Sequence, residues 1–380
     1  MFCSANKKQV TAAAAAPPNI PVPSSTRAVV LQNYVSAEHA LDLWPSPAGT
    51  FDVKEFPIPN PIPEDSLLVR TLYLSNDPGM GLLLSKSNKN DREDVSTLPL
   101  GTPFPTYAAL ARVVRVGGGE GRGPHKVGDI VEVFRSHWSE YVIVKKDKAR
   151  PRKEIPGVNI SSYLGALGIS GGTAYFALMG VLKPKKSDTL VVSGAAGAVG
   201  NVAIQYAKKV LGLARVVGIA GTDEKCTWLK SIGADEAINY KSATFAQDLV
   251  KATPDKVDLY FDNVGGSILD EMLTRMKPHG RVCLVGAMAR KHVNEPAVMN
   301  NYAEILLNRL VLEGFTANDY LDRMGEAEQA LGGALRSGKL ILHGAETLVD
   351  IQGRIEEIPR VWGGLFAGVN TGKLVTKVAD

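Results

Sequence analysis

Residues 193–200 read SGAAGAVG and place Gly194, Gly197 and Gly200 at a regular spacing. Glycines so spaced let a strand turn sharply into a helix and let the backbone come close to a pyrophosphate. The helix start then offers free N–H groups and a partial positive charge to the phosphates. The flanking residues supply the required context. Residues 189–193 (TLVVS) are strand-like, Val199, Val202, Ala203, Tyr206, Ala207 and Val210 recur at helical spacing, and residues 214–220 (ARVVGIA) close the unit as a second strand. The pattern points to a dinucleotide site in which Gly194, Gly197, Ala198, Val199 and Gly200 carry the phosphate contacts. The alternative is a turn that serves only to join strand and helix.

In NAD-binding units an acidic residue about 20 positions past the glycines binds the ribose hydroxyls. Counting from Gly200 reaches Ala220 and Gly221, neither of them acidic. Asp223 and Glu224 come later, where they suit the start of the next helix. Lys225 follows, and its ammonium is placed to pair with a 2′-phosphate, which favours NADPH over NADH. A solvated surface lysine is the other reading.

Catalytic zinc needs three protein ligands drawn from Cys, His, Asp and Glu. The histidines are His39, His125, His137, His279, His292 and His343, and none pairs with a cysteine at ligand spacing. Three cysteines, Cys3, Cys226 and Cys283, exclude a four-cysteine site and form no disulfide framework. A zinc-free chain is therefore expected, in a reducing, cytoplasmic setting. Without a Lewis acid, oxidation of an unactivated alcohol loses its usual activation. Reduction of a conjugated C=C bond needs none: hydride adds to the β carbon and the α carbon is protonated.

The elements that must hold these residues fall into two textures. Through about residue 156, the runs 28–31, 66–74, 111–116, 130–133 and 140–144 are short and strand-like, broken by Pro and Gly, as in a small β-barrel. After Tyr163, strand-like runs at 189–193, 214–220, 257–262, 281–286 and 310–315 alternate with helical stretches, among them 223–232, ended by Gly233. That alternation predicts a doubly wound parallel sheet of the Rossmann kind. The strand-like run 373–378 is expected to rejoin the first domain. With 380 residues, two domains are natural, since a single core rarely exceeds roughly 250 residues.

The first 26 residues are rich in Ala and Pro, and no acidic residue precedes Glu38. The first arginine is Arg27, and the prolines break any amphipathic helix, so a disordered tail is favoured over a presequence. No apolar run approaches the ~18 residues that span a bilayer. Lys+Arg 43 against Asp+Glu 39 gives +4 without a basic block, so neither a nucleic acid nor a membrane is expected as a partner.

Several segments together resemble a known family: GISGGTAYF (168–176), SGAAGAVG, GTDEK (221–225), NYK (239–241), FDNVGG (261–266) and NTGKLV (370–375). They are similar to the prostaglandin reductase and plant alkenal double-bond reductase branch of the zinc-independent medium-chain dehydrogenases/reductases. The resemblance covers about residues 27–377. It implies a GroES-like catalytic domain (27–160 and 338–380), a Rossmann domain (161–337), NADPH as cofactor and a homodimer. It further implies Lys225 and Tyr240 at the adenosine phosphate, Asn263 along the cofactor, and Val285, Gly286, Ala287, Phe315, Thr316 and Ala317 beside the nicotinamide. Asn370 returns to the cofactor from the C-terminal segment. Tyr302 matches a tyrosine proposed to stabilise the developing enolate or donate a proton; it also suits a packing role.

One segment departs from the family. Where relatives carry D-P-Y-M-R facing the substrate, residues 77–81 read DPGMG. Gly79 and Gly81 therefore predict a wider, less polar cleft edge that accepts bulkier enones, unless Trp138 or Tyr320 fills the gap. The expected activity is NADPH-dependent reduction of α,β-unsaturated aldehydes or ketones. A quinone oxidoreductase and a non-catalytic NADPH-binding sensor are the alternatives.

Overall fold

The computed structural model describes residues 22–36, 39–86, 97–119, 123–289 and 299–380. Most of the predicted tail, Cys3 and His292 lie outside the described residues. The first part is antiparallel. It holds β1 (Ser25–Leu31), β2 (Phe51–Pro57), β3 (Ser66–Ser75), β4 (Pro105–Val116), β5 (Ile130–His137), β6 (Tyr141–Lys145) and β7 (Ala149–Pro151). β1 begins inside the stretch expected to be tail, because Thr26 Oγ1 takes a hydrogen bond from the Tyr141 N–H at 2.9 Å and β1 pairs with β2. Periodicity missed β2, whose single fully buried residue, Phe51, leaves a weak apolar signal.

A parallel α/β region follows. Its elements are α1 (Ile169–Phe176), β8 (Thr189–Val192), α2 (Ala198–Gln205), β9 (Arg215–Ala220), α3 (Asp223–Ile232), β10 (Glu236–Asn239), α4 (Phe245–Ala252), β11 (Val257–Asp262), α5 (Gly266–Leu273), β12 (Met276–Leu284), α6 (Tyr302–Leu307), β13 (Val311–Gly314) and α7 (Met324–Arg336). The chain closes with β14 (Glu346–Asp350), α8 (Ile358–Ala367) and β15 (Lys373–Lys377).

β8 to β13 form one six-stranded parallel sheet in the order β10-β9-β8-β11-β12-β13. Numbered from β8, this is the 3-2-1-4-5-6 order of a doubly wound dinucleotide fold, whose crevice opens where the order reverses, between β8 and β11. β8, β9 and β11 are nearly buried throughout, because helices cover both faces. The helix expected over 223–232 is α3. Thr222 caps it by accepting from the Lys225 N–H at 3.2 Å, Asp223 and Glu224 stand in its first turn, and Gly233 follows at φ +125°.

Beside the two-stranded β1-β2 sheet, the antiparallel part holds a sheet of seven strands, β14-β15-β3-β4-β5-β7 with β6 paired to β3. β15 lies antiparallel to β3, so the C-terminal segment returns to the first strands. One apolar core joins the two sheets: Ala108 and Leu110 of β4 and Val375 of β15 pack with Leu190, Val192, Ala195 and Phe176. A second core gathers Phe51, Phe104, Trp138 and Trp362, with Phe104 and Trp138 ring centroids 4.6 Å apart. Truncating any of these rings to alanine would cost about 3–5 kcal/mol.

Candidate functional site

The chain leaves β8 and turns at Gly194, whose φ of +55° suits glycine alone at no strain. A Cβ on Gly200 would stand 2.5 Å from the Gly194 oxygen and 2.6 Å from Ala195 Cα, so only glycine lets α2 start this close to the strand. No side chain caps α2, and its first bond runs from the Asn201 N–H to the Gly197 carbonyl at 3.2 Å. The N–H groups of Ala198, Val199 and Gly200 are then the unbonded donors of a helix start, the donor set a pyrophosphate takes. The C-terminal segment lies against this turn. Gly372 donates its N–H to the Ala196 carbonyl at 2.7 Å and bridges Gly197. Asn370, two residues earlier, is half-buried and donates to the Gly372 carbonyl at 2.6 Å.

Lys225 sits half-buried in the first turn of α3, with Tyr240 and Lys241 just past β10. A Cβ on Gly221 would stand 3.0 Å from the Tyr240 ring, so Tyr240 lies directly over Gly221. Burial first, and then the charge of Lys241, holds the Lys225 ammonium below the ordinary lysine range. Two cations that disfavour each other at the ends of adjacent strands fit a doubly charged phosphate. Lys225 Nζ meanwhile donates to the Gly368 carbonyl at the end of α8, 2.7 Å away. Lys241 was present in the NYK segment, but only the pairing of β9 with β10 brings it to Lys225.

The FDNVGG segment ends β11, and its first function is architectural. Asp262 is fully buried and accepts from the Ser193 hydroxyl (2.8 Å), the Tyr260 hydroxyl (2.8 Å) and the Val264 and Gly265 N–H groups (3.0 Å each). It ties the end of β11 to the end of β8, at the crevice. Asn263 then donates its side-chain N–H to the Ser193 carbonyl at 2.7 Å. Val285 and Gly286 follow β12 and both donate their N–H groups to the Asp262 carbonyl, at 2.8 and 3.1 Å. A Cβ on Gly286 would come 2.6 Å from the Asn263 oxygen. Ala287 is next in the chain. Phe315, Thr316 and Ala317 follow β13; the Phe315 ring stacks on Tyr320, which stacks in turn on Phe176, at 5.4 and 4.6 Å between centroids. Apart from Lys225 in the first turn of α3, every residue expected at the cofactor thus stands just past the carboxyl end of a parallel strand, on the glycine turn, or on the segment packed against that turn.

Tyr302 opens α6 and is 67% exposed. Gly79 and Gly81 lie on a 3-10 turn, Pro78–Leu84, that follows β3. Neither side chain named as a filler stands over Gly79. Trp138 is enclosed with Phe51, Phe104 and Trp362, and the Tyr320 hydroxyl lies over Gly180. Tyr107 of β4 fills the place instead: a Cβ on Gly79 would stand 2.6 Å from its hydroxyl. A Cβ on Gly81 would touch Trp362 at 3.7 Å, so this position faces a packed ring and not an open, widened edge. Tyr107 carries no sequence signal, being one aromatic in a strand. Its neighbour in the fold is a loop that precedes β4 in the chain.

Among the described residues no group of three or more His, Cys, Asp or Glu stands close enough to hold a metal ion. Cys226 and Cys283 are buried and free, and burial raises both thiols, Cys283 to about 12. No helix among the described residues is long and apolar enough to cross a membrane.

Residues 198–331 match the family model described as zinc-binding dehydrogenase; these residues run from α2 into α7, through the cofactor-side sheet. A 2-alkenal reductase (NADP(+)-dependent) of Nicotiana tabacum is 34% identical over 93% of this chain and 98% of its own length. Prostaglandin reductase 1 of Mus musculus is 32% identical over 87% and 94%. The crystal structure of CurA from Vibrio vulnificus in complex with NADPH superposes with a TM-score of 0.79 at 29% identity, covering 93% of this chain and 99% of that one. With a strand order of the Rossmann type, an antiparallel second sheet and relatives of this identity along nearly its whole length, the chain belongs to the medium-chain dehydrogenases/reductases, in the prostaglandin reductase and alkenal double-bond reductase branch.

Proposed function

We propose that this chain is an NADPH-dependent reductase of the C=C bond of α,β-unsaturated aldehydes or ketones, and that it works without zinc. The observation that carries the reading is an uncapped helix start at the glycine turn after β8, with Lys225 in the first turn of the helix that follows the neighbouring β9. It provides donors for a pyrophosphate and a cationic corner for a 2′-phosphate. Bound NADPH supplies the hydride. Gly194, Gly197, Ala198, Val199 and Gly200 hold its pyrophosphate, and Lys225, Tyr240 and Lys241 its phosphate end. Asn263, Val285, Gly286, Ala287, Phe315, Thr316, Ala317 and Asn370 orient the rest. Tyr302 stabilises the enolate or returns a proton to the α carbon.

The same reading divides the chain into a GroES-like catalytic domain, 27–160 and 338–380, and a Rossmann domain, 161–337. The return of β15 to β3 supports that division. It also makes the protein a cytoplasmic homodimer. β13 is the free edge of the parallel sheet, and Leu306, Leu307 and Val311 beside it are exposed, a surface suited to a second copy. The test is cofactor oxidation against a panel of enals, enones and quinones, with NADPH and NADH in parallel. Turnover of enals with NADPH supports the reading. Turnover confined to quinones, or NADPH binding without turnover, rejects it.

A further inference from the structure

Tyr107 stands where its hydroxyl can reach a ligand and touches little else. The ring projects from β4 over Gly79, with the hydroxyl 2.6 Å and ring atoms Cε2 and Cζ 3.4 Å from the place a Cβ would take. The residue is 41% exposed, and no hydrogen bond joins its hydroxyl to any other described residue. The nearest carboxylate is already engaged. Asp77 accepts from the Ser75 hydroxyl and, at 2.5 Å, from the Lys373 ammonium, while the Trp362 indole donates to its carbonyl at 2.9 Å. Both Asp77 carboxylate oxygens are thereby engaged, and the phenolic O–H has no hydrogen-bond partner among the described residues. Burial, then the charge of Asp77, pushes the phenol above the ordinary tyrosine range; the guanidinium of Arg135 on the adjacent strand opposes them. The group therefore holds its proton more tightly than an ordinary tyrosine.

Its position relative to the cofactor turn follows from two consecutive residues. Gly372 donates to Ala196 of the glycine turn, and Lys373 pairs with Asp77, two residues before Gly79. These contacts join the turn under Tyr107 to the glycine turn after β8.

We propose that the Tyr107 hydroxyl is the hydrogen-bond donor to the substrate carbonyl oxygen, and that Gly79 is the residue that leaves it room. This rests on the enone-reductase reading above. As the β carbon receives the hydride, the alkene electron pair moves into the bond between the α and carbonyl carbons. The carbonyl pair then moves onto oxygen. The Tyr107 O–H donates to that oxygen and keeps its proton; the α carbon takes a proton from Tyr302 or water. A donor aimed at developing negative charge acts most strongly where water is scarce.

The test uses the full-length protein, Tyr107→Phe and Gly79→Ala, with benzylideneacetone and cinnamaldehyde as substrates. Removing the hydroxyl should lower kcat/KM about 10- to 100-fold, with the NADPH dissociation constant unchanged. In complexes with NADP⁺, the infrared C=O stretch of bound benzylideneacetone should be shifted down in the wild type and return toward its free value in Tyr107→Phe. Gly79→Ala should lose activity in the same direction, because its Cβ displaces the hydroxyl. Equal kcat/KM and an unmoved stretch in Tyr107→Phe would overturn this role while leaving enone reduction standing. A parallel loss of NADPH affinity would also overturn it, by making Tyr107 a structural residue. Absence of enone turnover in the wild type would instead remove the functional reading, and the role with it.

Discussion

The Lys373 ammonium stands 2.5 Å from Asp77 Oδ1, with side chains 3% and 12% exposed, and so links the last strand to the loop after β3 across 296 residues. Lys373 follows Gly372, which touches the glycine turn, so the same two residues fasten the loop after β3 to that turn. Lys373→Met would leave Asp77 buried without its countercharge. The expected cost is about 3–5 kcal/mol, read as a lower denaturation midpoint. Asp77→Asn combined with Lys373→Met should recover part of it, since no buried charge remains. Equal stability of Lys373→Met and wild type would show the pair to be solvated.

Lys225→Ala should weaken NADPH by about 1.5–3 kcal/mol and leave NADH nearly unchanged, measured by fluorescence titration. Lys241→Ala should act in the same direction with a smaller effect, since Lys241 is exposed. The pH dependence follows from the sign of the shift. In the free protein the Lys225 ammonium loses its proton earlier than an ordinary lysine, because of burial and Lys241. The phosphate favours the charged form, so binding takes up a proton, and NADPH affinity falls as pH rises toward the lowered lysine range. NADH affinity should stay flat across that window. Equal losses for both cofactors would make Lys225 a surface lysine.

The best-read parts of the sequence are those with local signals. The glycine turn, α3 and the parallel strands follow from short-range patterning, because a strand buried on both faces and a capped helix each announce themselves within ten residues. β12 starts earlier than expected, at Met276, where Lys277, Pro278, His279 and Gly280 hide the strand from any apolar count. The surroundings of Gly79 are illegible for a different reason. Gly79 alone reads as an empty place, and the occupant arrives from β4 through the pairing of β3 with β4. The role of Asp262 within FDNVGG is equally hidden, since its carboxylate is spent on Ser193, Tyr260 and two backbone N–H groups.

Tyr302→Phe should lower kcat on a good enal by no more than about 100-fold, the low end for general acid catalysis, because water can deliver the proton instead. NADPH binding should not change. Single-turnover kinetics would separate this from a packing role: unchanged kcat takes Tyr302 out of the mechanism.

Purified protein should retain full activity after chelation, and metal analysis should find no stoichiometric zinc. About one zinc per chain together with chelator-sensitive turnover would contradict the zinc-free mechanism.

In the proposed reaction hydride goes to the β carbon and not to the carbonyl carbon. The direct measurement is product analysis after incubating the protein with NADPH and cinnamaldehyde. The account predicts the saturated aldehyde, formed one for one with NADPH consumed. Cinnamyl alcohol as the product, or NADPH consumption only when a quinone is supplied, would contradict it.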